Sequence, residues 1–270
     1  MRIDRQITTA SGTIETYTYP LITRMISSPH TLIAGTTGAG KSVLLNAVMF
    51  DLITRDAKFI FIDLKRVEMA KYKNHAKTLY YATEPQQARE ALGYALEVME
   101  NRYKSMTGTH YNGTALYVVV DELADLASDK KVLDQLVRLG RLGRAAEVHM
   151  ICATQDPSRR TLKAQLMQNF TCCVALRCKT AIESRQITGF PGAESLPKYG
   201  KGYIWDADGY EKVDIPMIPD EDLELIISAT NAKPVKTAPA PRVRYERFQE
   251  RPSTLERIAR VIFPNLFPEE

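Results

Sequence analysis

The chain is poor in cysteine, with four in 270 residues. None stands in a CxxC pair, so the usual spacing of a structural zinc site is missing. Cys152, Cys172, Cys173 and Cys178 lie in the apolar stretches HMICAT and TCCVALRC. Free cysteine packs as a small apolar side chain, which makes all four expected core residues, and adjacent Cys172 and Cys173 should face opposite sides of a strand. A reducing compartment is the corresponding expectation. No apolar run approaches the ~18 residues that a membrane-spanning helix needs. The N-terminal MRIDRQITTA also lacks the apolar stretch of a secretory leader. The reading is a soluble cytoplasmic protein with no membrane segment of its own. A large charge surplus is absent too: 36 basic against 32 acidic side chains leave a net charge of +4, which permits an anionic partner without requiring one.

What is present is apolar sequence in a strand-then-helix rhythm. The 44% hydrophobic content and the length suit one large α/β domain, or one domain with a tail. Residues 1–28 carry alternation in TIETYTYPL and read as an N-terminal arm of edge strands or a hairpin. From His30 the order is TLIAG, KSVLLNAVMFDLI, KFIFID, a short helix near Val67 to Tyr72, KTLYYA, and EPQQAREALGYALEVMENRYKSM. It continues with ALYVVVD, KKVLDQLVRLGRLGR, EVHMICAT, LKAQLMQNF, CCVALRC and AIESRQIT. Short apolar strands alternating with amphipathic helices predict a mainly parallel sheet flanked by helices on both faces, here over residues 29–230. GYIWDADGYEKVDI reads as a closing hairpin with a DG turn signal, and DEDLELIISAT as a helix. Residues 231–270 read as a proline-spaced linker, to about Arg244, and a short C-terminal helix. In that helix Leu255, Ile258, Val261 and Ile262 fall at helical spacing, which suits packing on its own domain or docking on another subunit.

Residues 35–42, GTTGAGKS, satisfy the P-loop pattern between an apolar strand and a helix former run. Gly35, Gly38 and Gly40 let the backbone turn its N–H groups toward a phosphate, and the helix N-terminus adds its positive end. The predicted ATP-binding stretch is Gly35, Thr36, Thr37, Gly38, Ala39, Gly40, Lys41, Ser42 and Val43. Lys41 can reach the β and γ oxygens, and Ser42 can place its hydroxyl on Mg2+. A second apolar strand delivers Asp121 and Glu122 to the edge where ligands of an open parallel sheet sit. In that reading Asp121 holds the metal through water and Glu122 polarises the attacking water. The competing reading, two acids capping the next helix, is disfavoured beside a P-loop. A third strand runs into Thr154 and Gln155, and a neutral amide there can sense the γ-phosphate or the lytic water, or simply stand in solvent as a loop glutamine.

These residues resemble the FtsK/SpoIIIE DNA translocases within the FtsK–HerA group of P-loop motors. The resemblance runs in order through PHTLIAGTTGAGKSVLLNAV, FIDLKRVEMAKY, ALGYALEVMENRYKSM, VVVDELADL, GRAAEVHMICATQDPS and ESRQITGFPGAESL, about residues 29 to 205. It implies a RecA-like core that assembles as a ring, usually a hexamer, around double-stranded DNA. ATP sites then lie at subunit interfaces, with Arg144 at the position of the arginine supplied to a neighbour's site. An inserted guanidinium can be worth ~10³ to 10⁵ in rate.

The resemblance also places DNA contacts on loops after the ATQ strand and around the ESR helix, here Arg159, Arg160, Lys163, Lys179 and Arg185. Cations there can track phosphates without reading bases. Two departures shift that chemistry: Asp156 stands where the family commonly has a basic residue, and Ala181 where it often has lysine. The expected function is an ATP-dependent DNA translocase. The chain has little before and after the motor, which suggests transfer of a mobile element with an element-encoded partner. The alternatives are a viral genome-packaging ATPase and, from another class, a non-catalytic scaffold assembled by ATP. Glu122 and Gln155 together speak against the scaffold.

Overall fold

The computed structural model describes residues 3–9, 12–158 and 163–231. The expected linker and C-terminal helix after Asn231, and Arg159 and Arg160, lie outside these residues. The alternating N-terminal segment forms a two-stranded antiparallel sheet of its own, β1 (Ile3–Thr9) and β2 (Gly12–Thr18), with Ile7 opposite Ile14. Arg5 ties it to Asp51 at 2.9 Å, and the Tyr17 hydroxyl donates to Asp222 Oδ2 at 2.6 Å. The alternation does not continue as strand through Leu21. Pro20 opens α1 (Pro20–Ser27), where its missing N–H costs nothing. Leu21, Ile22, Met25 and Ile26 then bury one face.

The main sheet has eight strands. They are β3 (His30–Ala34), β4 (Ala57–Ile62), β5 (Thr78–Ala82), β6 (Ala115–Val120), β7 (Val148–Thr154), β8 (Cys172–Ala175), β9 (Lys201–Asp206) and β10 (Gly209–Asp214). Their spatial order is β10-β9-β8-β3-β7-β6-β4-β5. β3 to β8 are parallel, and β9 and β10 add an antiparallel edge. The expected closing hairpin is this edge. Gly209 pairs with Asp206, so the turn spans Ala207–Asp208 and the glycine marks its exit.

Among the described residues six further helices follow: α2 (Lys41–Leu52), α3 (Pro85–Ser105), α4 (Lys130–Leu142), α5 (Ala164–Met167), α6 (Ala181–Thr188) and α7 (Asp220–Asn231). Period-two alternation sorts each strand between two cores. Leu32, Ile60, Val118, Met150 and Cys173 pack with α3 and α4. Ile33, Phe61, Val119, Ile151 and Cys172 pack with α1, α2 and α7. All four cysteines are free and buried, and the adjacent pair faces opposite cores as expected. Full burial of a Leu, Ile or Val side chain stabilises by ~1.5–3 kcal/mol, so the double cover is where most of the stability resides. This is the RecA-like P-loop architecture that the resemblance implies.

One expected helix is mostly absent. Between Val67 and Tyr72 only a 3-10 turn forms, Ala70–Tyr72. The buried Asp63 carboxylate takes the N–H groups of Val67, at 3.4 Å, and Met69, at 3.0 Å, and so competes with helical bonding. Among the described residues no helix is long and apolar enough to cross a membrane.

Candidate nucleotide site

The loop after β3 is fastened to both neighbouring strands. The Gly35 N–H donates to the Thr154 carbonyl at 3.2 Å, and the Thr36 N–H donates to the Arg177 carbonyl at 2.9 Å. A Cβ on Gly35 would lie 2.8 Å from Leu176 Cβ, so the close approach requires glycine. Gly38 and Gly40 adopt φ of 72° and 99°, a left-handed backbone that turns successive N–H groups inward. Gly40 is the N-cap of α2, which directs the helix's positive end at the loop. Lys41 is 9% exposed, and its ammonium donates to the Gly35 carbonyl at 2.9 Å. Burial pulls its pKa down, against Glu122, Asp121 and Glu68, which pull it up. Ser42 Oγ donates to Glu68 Oε1 at 2.5 Å. Val43 is exposed on the first turn of α2.

β7 stands between β3 and β6, and this order brings three strand ends together. Asp121 leaves β6 with its N–H on the Ile62 carbonyl at 3.1 Å. Burial raises its pKa to about 6, and the nearby Asp63 and Glu68 carboxylates add to the rise while Lys65 opposes it. Glu122 is 6% exposed and well tethered. Its Oε1 accepts from Thr154 Oγ1 at 2.8 Å, the Gln155 N–H at 3.0 Å and the Ala124 N–H at 3.2 Å. Lys65 Nζ lies 3.7 Å from Glu122 and 3.6 Å from Asp125. The Gln155 side chain bridges to the P-loop, where Thr37 Oγ1 donates to its Oε1 at 2.6 Å.

Sequence reasoning missed the contribution of β4. Asp63, Lys65 and Glu68 follow it directly and face the same cluster. Asp63 is fully buried and also accepts from the Tyr81 hydroxyl at 3.1 Å. The available signal was FIDLKRVEMAKY, in which Asp63, Lys65 and Glu68 come just after an apolar strand. Thr154 was noticed only as the neighbour of Gln155.

The donor set fits a triphosphate with a divalent cation. Asp63, Glu68, Asp121 and Glu122 crowd one end of the loop, where burial first, and the neighbouring carboxylates second, raise the Asp121 pKa. Among the described residues no three His, Cys, Asp or Glu side chains form a self-sufficient metal cage. Mg2+ does not need one, because it keeps waters and shares phosphate oxygens. Ser42 and Asp121 are the residues that would hold it.

Arg144 does not join this cluster. It is exposed in a short 3-10 turn, Arg144–Ala146, before β7. β7 has seven residues, so at ~3.3 Å per residue about 20 Å of strand separates that edge from Thr154. Lys163 is exposed at the N-cap of α5, Lys179 is exposed just before α6, and Arg185 is exposed on α6. The Lys179 N–H donates to Glu183 Oε2 at 2.8 Å. Asp156, at the departure from the family pattern, accepts from the Ser158 N–H at 2.9 Å.

The FtsK/SpoIIIE family model matches residues 4–115. The DNA translocase FtsK of Streptococcus pyogenes serotype M6 is 34% identical, over 74% of this chain and 29% of the relative. The DNA translocase FtsK of Lactococcus lactis subsp. cremoris is 32% identical, over 77% of this chain and 31% of the relative. The chain thus spans about a third of the length of these relatives. Among solved structures, the cytoplasmic domain of the Thermomonospora curvata type VII secretion ATPase EccC superposes with a TM-score of 0.67 and 22% identity. That match covers 88% of this chain and 32% of the other. The pCW3 conjugation coupling protein TcpA, in monomer form with ATPγS, gives 0.66 and 21%, over 83% of this chain and 70% of the other.

Proposed function

Because the chain carries an FtsK/SpoIIIE-family domain, we propose that it is a motor that uses ATP hydrolysis to move along double-stranded DNA. One observation carries the reading. The P-loop, the acid pair after β6 and the Thr154–Gln155 end of β7 converge on one sheet edge, with Glu122 tethered to β7 and Thr37 to Gln155. In this reading the loop N–H groups and Lys41 bind the β and γ phosphates. Glu122, oriented by Thr154 and Gln155, takes the proton of the attacking water. Gln155 reports whether the terminal phosphate remains. Mg2+, when bound, neutralises charge on the phosphates.

Ring assembly belongs to the same proposal. Arg144 lies at the opposite edge from its own P-loop, which suits donation to a neighbouring subunit. Duplex DNA is the proposed track, with Lys163, Lys179 and Arg185 as phosphate contacts and Arg159 and Arg160 alongside them in sequence.

The test is phosphate release with and without duplex DNA, at protein concentrations that allow assembly. Wild-type turnover should rise with DNA. Lys41→Ala should lose nucleotide binding and turnover. Glu122→Gln should bind ATP and fail to turn it over, at a cost of ~10²-fold or more. Hydrolysis indifferent to duplex DNA at every concentration would remove the motor reading.

A further inference from the structure

The acids that mark the reacting end of the site all lie on one side of the P-loop strand. In the order β9-β8-β3-β7-β6, Asp121, Glu122 and Gln155 follow β6 and β7. A triphosphate whose terminal phosphate faces them must run its nucleoside end the other way, toward β8 and the loop that enters β9. That loop places two side chains beside the P-loop. Lys198 reaches over its tip, with Cε 3.8 Å from the position a Cβ on Gly38 would take. Lys198 Nζ lies 4.9 Å from the centroid of the Tyr199 ring, which is 62% exposed. Among the described residues no carboxylate forms an ion pair with Lys198.

A large exposed ring next to a cation, at the nucleoside end of a phosphate loop, has the chemistry of a base platform. Aromatic stacking holds a base by its face and reads no base edge. A cation close to the loop also suits the α-phosphate. We propose that Tyr199 stacks on the purine ring of the bound nucleotide, and that Lys198 holds its α-phosphate end. The inference rests on the nucleotide-site reading above.

The test uses the full chain and two probes, ADP and inorganic tripolyphosphate, titrated by calorimetry. Tyr199→Ala should weaken ADP by ~5-fold or more and leave tripolyphosphate unchanged, while Tyr199→Phe should bind ADP like wild type. Lys198→Ala should weaken ADP by ~2- to 5-fold, the scale of an exposed charge contact, and unchanged ADP affinity in that variant would remove Lys198 from the α-phosphate. Wild-type ADP affinity in Tyr199→Ala would overturn the proposal. So would an equal loss of both probes in that variant, because the ring would then shape the loop rather than meet the base. A wild-type chain that binds neither probe would instead defeat the P-loop reading itself.

Discussion

Thr154→Val removes the hydroxyl that tethers Glu122, together with that hydroxyl's bonds to the Asp156 carbonyl and N–H, both at 3.1 Å. Thr154 has no exposed surface, and among the described residues its hydroxyl is the one neutral side-chain donor to the Glu122 carboxylate, at 2.8 Å. Valine keeps the shape and keeps the main-chain carbonyl that receives the Gly35 N–H. What remains on Glu122 Oε1 are the N–H groups of Ala124 and Gln155, with Lys65 more distant from Oε2 at 3.7 Å. A hydrogen bond to a charged group contributes ~1.5–3 kcal/mol. If that orientation is needed in the transition state, the loss corresponds to a ~10- to 100-fold fall in kcat at ~1.4 kcal/mol per decade. Phosphate release over an ATP series with saturating duplex DNA measures kcat, and calorimetry with ADP measures affinity. The expected pattern is a reduced kcat with unchanged ADP affinity, because the hydroxyl's hydrogen bonds go to Glu122 and Asp156 rather than to the P-loop. Thr154→Ser should recover most of the rate. Wild-type turnover in the valine variant, or equal impairment in the serine variant, would refute the orienting role.

Arg144→Ala should bind nucleotide nearly as wild type yet turn over ~10³-fold more slowly, and mixing with Lys41→Ala subunits should restore part of the rate. Absence of any rescue would leave Arg144 outside the neighbour's site. Stability should also fall with acid through His30, which is 2% exposed and whose pKa burial lowers to about 3. The unfolded chain takes the proton near 6.5, so the contribution is complete above that value and is lost as pH falls toward 3. About 2 kcal/mol disappears between pH 7 and pH 5 for this one group. His75, lowered to about 4 by burial, has the same sign. Urea unfolding of His30→Asn at pH 7 and pH 5 should show a flatter pH dependence than wild type, and an identical slope would contradict the assignment.

The parts of this protein legible from sequence are those written in contiguous residues. GTTGAGKS specifies the loop because the left-handed glycines, the lysine and the helix start are neighbours along the chain. The strands were legible for the same reason: a period of two assigns Cys172 and Cys173 to opposite cores without knowing what fills either one. Local competition defeated the pattern in two places. Pro20 starts a helix where alternation promised strand, and the Asp63 carboxylate reduces a helix to a single turn.

The candidate site itself was legible only as a set of separate residues. Asp121 and Glu122 mark a strand end, but nothing near them states that Thr154 would orient the glutamate or that Lys65 and Glu68 would share its space. Those contacts depend on β7 standing between β3 and β6, and on β4 standing beside β6. The same order brings Lys198 over Gly38, whereas the length of β7 alone carries Arg144 to the far end. Hydrogen bonding and alternation act over a few residues and can be read in one dimension. Strand order is set by which apolar surfaces cover one another across the whole domain, so the company each charged side chain keeps was decided by the tertiary structure.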